Sequence, residues 1–265
     1  MKAILSSTFD PKYFFLLPIT TWSWNRLGVG VECIVPDVAI PDSAQFVLDT
    51  LKDIKSYIRF TTFKSTENQQ ATYAQCSRLF GGTLDLDDDE ELIVGDVDMA
   101  MLSIPEGGLN GEFTIYGHDL VPEGQFPMCY ISALKKDWAE TFHVEPYRLQ
   151  DHLDDLLGDI DCGNMRGNYW AKDQETAYQW INNGENTISL VNRAKPGTQF
   201  ATKRLDRDDA FILERDIFDV IDFHMPRPGF EDANFNIILT ILQKKYPFDD
   251  FSWMVQYRNE YIKLL

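Results

Sequence analysis

Short apolar runs alternate along the first half of the chain with longer stretches in which apolar positions recur every three or four residues. A continuous apolar run reads as a strand buried on both faces, and a recurrence near the helical period reads as a helix with one buried stripe. Residues 2–9 form the first such run. Asp10-Pro11 then starts a helix, with Pro at its first position, and Gly28 closes that segment. Residues 29–35 read as a second strand, rich in β-branched side chains. Ser43 opens a helix in which Ala44, Val47, Leu48, Leu51 and Ile54 share a face, and residues 57–63 make a third strand. Thr66 with Gln69 has the spacing of a capping box for a helix whose stripe is Tyr73, Cys76 and Phe80. Residues 92–94 form a fourth, wholly apolar strand.

The second half is less regular. Residues 107–124 are turn-rich, 128–132 resemble a strand leading into a helix over 133–142, and 173–181 look helical. Residues 187–191 are strand-like and 211–223 are mixed. Asp232 is placed to cap a helix burying Phe235, Ile238, Leu239 and Leu242; the end carries Phe251, Met254, Val255, Ile262 and Leu265 at helical spacing. There is no linker, low-complexity tract or repeat, so the expectation is one domain over residues 1–265. Strand–helix alternation of this kind predicts an α/β fold with a mainly parallel sheet covered by helices on both faces. Ligands in such sheets bind at the carboxyl ends of the strands.

The fourth strand ends at Gly95-Asp96-Val97-Asp98, inside a run that is otherwise apolar to Leu102. Were the strand to continue, Asp96 and Asp98 would point to the same side. Burying two carboxylates together costs several kcal/mol unless they are compensated. A hard divalent cation such as Mn²⁺ or Mg²⁺ suits oxygen ligands and also holds a diphosphate; backbone amides at a turn are the structural alternative. The denser acidic run at residues 85–91 precedes the strand and reads as a solvated loop.

Charge narrows the ligand class. The formal net charge of −18 argues against a basic nucleic-acid surface and against an anionic membrane. An anionic ligand would need a bridging metal. The four cysteines, Cys33, Cys76, Cys129 and Cys162, form no CxxC pair and read as free thiols of a reducing compartment. Residues 1–9 resemble neither a signal peptide nor a membrane anchor. The expected location is cytoplasmic.

A strand running into Asp-x-Asp after an N-terminal βαβ-type half resembles the GT-A glycosyltransferases. The resemblance implies a GT-A-like sheet with a smaller acceptor-side region, a nucleotide-sugar-binding half over residues 1–103 and an acceptor-binding half over residues 104–265. It implies Mn²⁺ or Mg²⁺ bound by Asp98 directly, by Asp96 (or Asp96 on the ribose or sugar), and by a late His, here His224 in Asp222-Phe223-His224-Met225-Pro226-Arg227. The donor would be a UDP- or GDP-sugar and the acceptor a carbohydrate or glycoprotein hydroxyl.

Asp173, at a helix start and followed by Gln174, resembles the family's catalytic segment. It would be the general base of an inverting enzyme, or part of the Asp-Gln pair that positions the donor sugar in a retaining one; capping its own helix is compatible with either. Further donor contacts are expected from Ser6, Ser7 and Thr8 after the first strand, from Asp37 after the second, and from Arg78 as a bidentate phosphate partner. Trp138, Tyr169 and Trp170 either stack on an acceptor sugar or pack in the core. Competing readings are a nucleotidyltransferase or nucleotide-sugar hydrolase, which would call for a glycine-rich basic N-terminal loop absent from Ser6-Ser7-Thr8-Phe9-Asp10, and a non-enzymatic acidic cation-binding domain.

Overall fold

The structure, a computed structural model, describes residues 1–104, 112–158, 170–191, 203–209 and 211–265. In chain order its elements are β1 (Lys2–Ser6), α1 (Pro11–Phe14), α2 (Leu17–Arg26), β2 (Gly30–Pro36), α3 (Asp42–Asp53), β3 (Ile58–Phe63), α4 (Gln70–Ser77), β4 (Glu91–Val94) and β5 (Met99–Met101). There follow β6 (Phe113–Tyr116), β7 (Ile131–Leu134), α5 (Lys135–Thr141), α6 (Leu149–Leu157), α7 (Lys172–Asn183), β8 (Ile188–Val191), β9 (Lys203–Leu205), β10 (Val220–His224), α8 (Asp232–Lys245) and α9 (Ser252–Tyr261).

Among the described residues, seven strands form the main sheet in the order β3-β2-β1-β4-β7-β6-β8, and three form a second in the order β5-β10-β9. The first four strands of the main sheet are mutually parallel; β7 runs antiparallel to both β4 and β6. The carboxyl ends of β1, β2 and β4 therefore share one edge. Side chains alternate across the sheet as strand geometry requires. Ala3, Leu5, Val31, Cys33, Val35 and Ile93 enter one core with α2, α3, α8 and α9, while Ile4, Ile34, Leu92 and Val94 enter another with α4 to α7. That two-sided burial is why these strands are apolar at nearly every position.

Several boundaries differ from the expectation. The Thr66/Gln69 pair closes a turn, with Gln69 Oε1 accepting from the Thr66 amide at 3.1 Å, and the helix begins only at Gln70. β7 starts three residues later than the pattern places it, and α5 two residues later. Asp232 does not cap α8; it is the helix's first residue and pairs with Arg258 instead. The buried face of α9 is Met254, Tyr257 and Tyr261, whereas Val255, Ile262 and Leu265 are exposed. β6 lies in the stretch read as loop, and α6, with its Leu149, Leu153 and Leu157 stripe, was not expected. Trp138 is core, packed on Phe113 and Phe142, so the stacking role does not apply to it; Tyr169 and Cys162 lie outside the described residues. Of the charge run at 85–91 read as a solvated loop, residues 85–89 are loop and mostly exposed, whereas Glu90 and Glu91 are half-buried and Glu91 opens β4.

α4 runs directly into a 3-10 segment, Arg78–Thr83, which packs under α5. Gly82 sits where a Cβ would lie 2.8 Å from the Ala139 amide nitrogen of α5. Gly82→Ala should therefore cost about 1–3 kcal/mol by overpacking, read as a lower urea midpoint at unchanged slope. An unchanged midpoint would mean that α5 shifts freely.

Candidate functional site

Asp96 and Asp98 lie in the turn that carries the chain out of β4, in the main sheet, into β5, in the second sheet. The turn is fixed by backbone bonds on both sides: the Gly95 amide donates to Ile4 O at 3.0 Å, and the Met225 amide donates to Asp98 O at 2.8 Å. Because this is a turn and not a continuing strand, the period-two expectation fails, and the two carboxylates face different partners.

Asp96, its side chain 37% exposed, pairs with Nη1 of Arg78. Arg78 is 5% exposed, and its fork is fully engaged. Nη1 also donates to Gly95 O at 3.1 Å and Met128 O at 3.3 Å, while Nη2 donates to Asp173 Oδ2 at 3.0 Å. Asp173 is 3% exposed and accepts the Gln174 amide on Oδ1 at 2.9 Å. Nε donates to Gln75 O at 3.3 Å, so in this arrangement Arg78 turns toward acceptors of the protein itself, where a phosphate contact was expected. Burial pushes the Asp173 carboxyl up to about 6; Arg78 opposes that shift and the nearby Asp96 adds to it.

Asp98 is buried, and one of its oxygens, Oδ2, is surrounded by cationic or donor groups. Arg207 Nη1 lies at 3.0 Å, Arg227 Nε at 3.1 Å and His224 Nε2 at 3.2 Å. Burial alone would raise the Asp98 carboxyl, but the His224 hydrogen bond and the charges of His224, Arg227 and Arg207 outweigh it, so it lies below its ordinary value. His224 Nδ1 is 3.5 Å from Asp206 Oδ2, and the Arg227 guanidinium stands 4.4 Å over the Tyr13 ring. Beyond these groups opens a cleft of about 490 Å³ lined by Lys12, Tyr13, Arg207, Asp208, Arg227 and Asn234, with Pro226 and Pro228.

The expected metal set was Asp96, Asp98 and His224. His224 does reach Asp98, but Asp96 is committed to Arg78. A cation on Asp98 Oδ2 would also meet two guanidinium groups. Like unit charges about 4 Å apart near a protein surface repel by about 4 kcal/mol, and a divalent ion doubles that for each arginine. Among the described residues, no three or more His, Cys, Asp or Glu side chains are arranged to hold a metal ion. In this arrangement the residues do not fit the three-ligand cation site.

Ser6, Thr8 and Asp37 lie at the same sheet edge as Asp96. Ser6 ends β1, Thr8 Oγ1 accepts the Asp10 amide at 3.3 Å, and Asp37 is exposed just past β2. Among the described residues none of the three bonds to Asp96 or Asp98. Trp170 is 56% exposed, and no helix among the described residues is long and apolar enough to cross a membrane. Sequence reasoning missed Arg207 and Arg227. Arg227 stood inside the segment that singled out His224, and Arg207 is an isolated base in the Asp206-Arg207-Asp208-Asp209 run.

No protein-family model and no curated protein matches the sequence. Among solved structures, the chain is similar to an active-site mutant of LgtC, at 12% identity and a TM-score of 0.54, over 96% of this chain and 99% of that one. It is also similar to the galactosyltransferase LgtC in complex with donor and acceptor sugar analogs, at 12% identity and a TM-score of 0.50, over 97% of this chain and 100% of that one. At this identity the likeness is one of fold. The chain has a GT-A-like architecture, a mostly parallel sheet flanked by helices with a smaller second sheet beside it.

Removing Arg78 would leave Asp173 buried without its counter-ion. Arg78→Ala should destabilise the protein by about 3–5 kcal/mol. The pH dependence has a definite sign. A carboxyl raised to about 6 binds a proton more readily folded than unfolded. Its contribution to stability therefore falls as pH climbs from about 4, the ordinary carboxyl value, through 6. Without Arg78 the folded value rises further, so the deficit against wild type should be larger at pH 8 than at pH 5. Urea melts at both pH values measure this; an equal deficit at both would count against Asp173 as the group exposed by the loss.

Proposed function

We propose that this chain is a glycosyltransferase that moves a sugar from a nucleoside-diphosphate sugar, a UDP- or GDP-sugar, to the hydroxyl of a carbohydrate or glycoprotein acceptor. The observation that carries the reading is the Asp96–Arg78–Asp173 chain at the carboxyl edge of the parallel strands. There a half-exposed carboxylate is held rigidly by a buried arginine, where α/β sheets bind ligands. The GT-A-like fold shared with LgtC, a galactosyltransferase described with donor and acceptor sugar analogs, supports it.

On this reading Asp96 is the catalytic residue facing the donor sugar. Locked by Arg78, its carboxylate accepts hydrogen bonds from sugar hydroxyls and stabilises positive charge growing at the anomeric carbon, as in other oxocarbenium-like transition states. Asp173 has a proton affinity suited to a base near neutral pH. However, Arg78 and the Gln174 amide take both its oxygens, so its part is to position Arg78. Ser6, Thr8 and Asp37, on the same edge, are the proposed contacts to the nucleoside. Trp170 is the proposed platform for the acceptor. No step is routed through a divalent cation, because Asp98 and His224 stand among cationic groups as described.

A panel of UDP- and GDP-sugars, assayed with EDTA and with Mn²⁺, tests the reading through slow donor hydrolysis or transfer to simple sugars. One donor should turn over, and Asp96→Asn should lower kcat on the order of 100-fold with a smaller change in KM. Failure of every nucleotide sugar either to turn over or to bind would end it.

A further inference from the structure

We propose that Arg207 and Arg227 grip the donor's diphosphate directly, so that nucleoside diphosphates bind this protein without a divalent cation. The inference rests on the nucleoside-diphosphate donor proposed above and deepens it. It starts from the misfit at Asp98, where the charge expected of a metal is supplied by two guanidinium groups on the same oxygen.

Each guanidinium uses one nitrogen on Asp98, Nη1 of Arg207 and Nε of Arg227. Among the described residues neither is seen bonding to a second carboxylate. Both arginines line the 490 Å³ cleft, and a guanidinium carries further N–H donors in the fork geometry that matches phosphate oxygens. Lys12 joins them on the lining, with Asp208 as the one carboxylate among the described lining residues. Asp98 lies on both arginines and Asp206 beside His224, so the forks of the arginines, rather than an excess of positive charge, would select phosphate oxygens. Asp98 and the Tyr13 face hold the two arginines in place before a ligand arrives, which lowers the ordering cost of binding. During transfer, the same groups would stabilise the negative charge that grows on the departing diphosphate, the part a metal plays elsewhere.

Calorimetric titration of UDP and of GDP in EDTA tests this, with inorganic pyrophosphate as competitor. Wild type should bind one nucleotide and release it to pyrophosphate. Arg207→Ala and Arg227→Ala should each weaken binding about tenfold or more, Arg227→Lys should recover part of the loss, and added Mn²⁺ should change the wild-type Kd by less than about threefold. Circular dichroism and urea melts of each arginine variant guard against a misfolded protein. Unchanged affinity in folded arginine variants, or binding that appears only with Mn²⁺ or Mg²⁺, would each overturn the inference while leaving the transferase reading standing. No nucleotide binding with or without metal would overturn the donor reading itself.

Discussion

A buried guanidinium between two carboxylates governs the geometry of this molecule. Arg78 lies out of water, and an unpaired charge there would be far costlier than any single packing defect. Asp173 from the start of α7 and Asp96 from the strand-end turn supply the counter-charge, and the Gly95 and Met128 carbonyls take up further donors. Three distant parts of the chain are thereby fixed relative to one another. One of these carboxylates keeps an open side toward solvent, which is what a site for a polar ligand requires.

The chain solves its electrostatics twice, in different ways, within a single four-residue turn. At Asp96 one cation serves two carboxylates; at Asp98 two arginines and a histidine converge on one carboxylate oxygen. The first arrangement leaves a carboxylate open to solvent, and the second sets two arginines on the lining of the cleft. On the proposed reading these two arrangements would face the sugar and the diphosphate, the neighbouring halves of one donor.

Much of the fold was legible because strands buried on both faces have to be apolar. β1, β2 and β4 were read within a few residues for that reason, and Pro11 and Gly28 punctuate α1 and α2 through backbone geometry alone. Legibility failed where burial involved polar atoms. Tyr257 and Tyr261 form the buried face of α9 although their hydroxyls made them look amphipathic, and the short, glycine-flanked β6 resembled a turn. The site was half legible. Asp96, Asp98, His224, Arg78 and Asp173 are all gathered at one end of the sheet, yet which carboxylate meets which cation depends on the turn at residues 97–98. No local pattern encodes the tertiary approach of Arg207 and Arg227 to Asp98.

That turn is also a seam. Asp96 is bonded to groups packed with the large sheet, while the backbone of Asp98 accepts the Met225 amide just beyond β10, in the small one. The two carboxylates thus answer to different mechanical units. On the proposed donor reading, a change deep in the small sheet, at the buried Arg204–Asp222 pair for instance, would reposition the diphosphate end of a bound donor and leave its sugar end in register. Natural variation in the small sheet would then retune leaving-group departure separately from sugar choice.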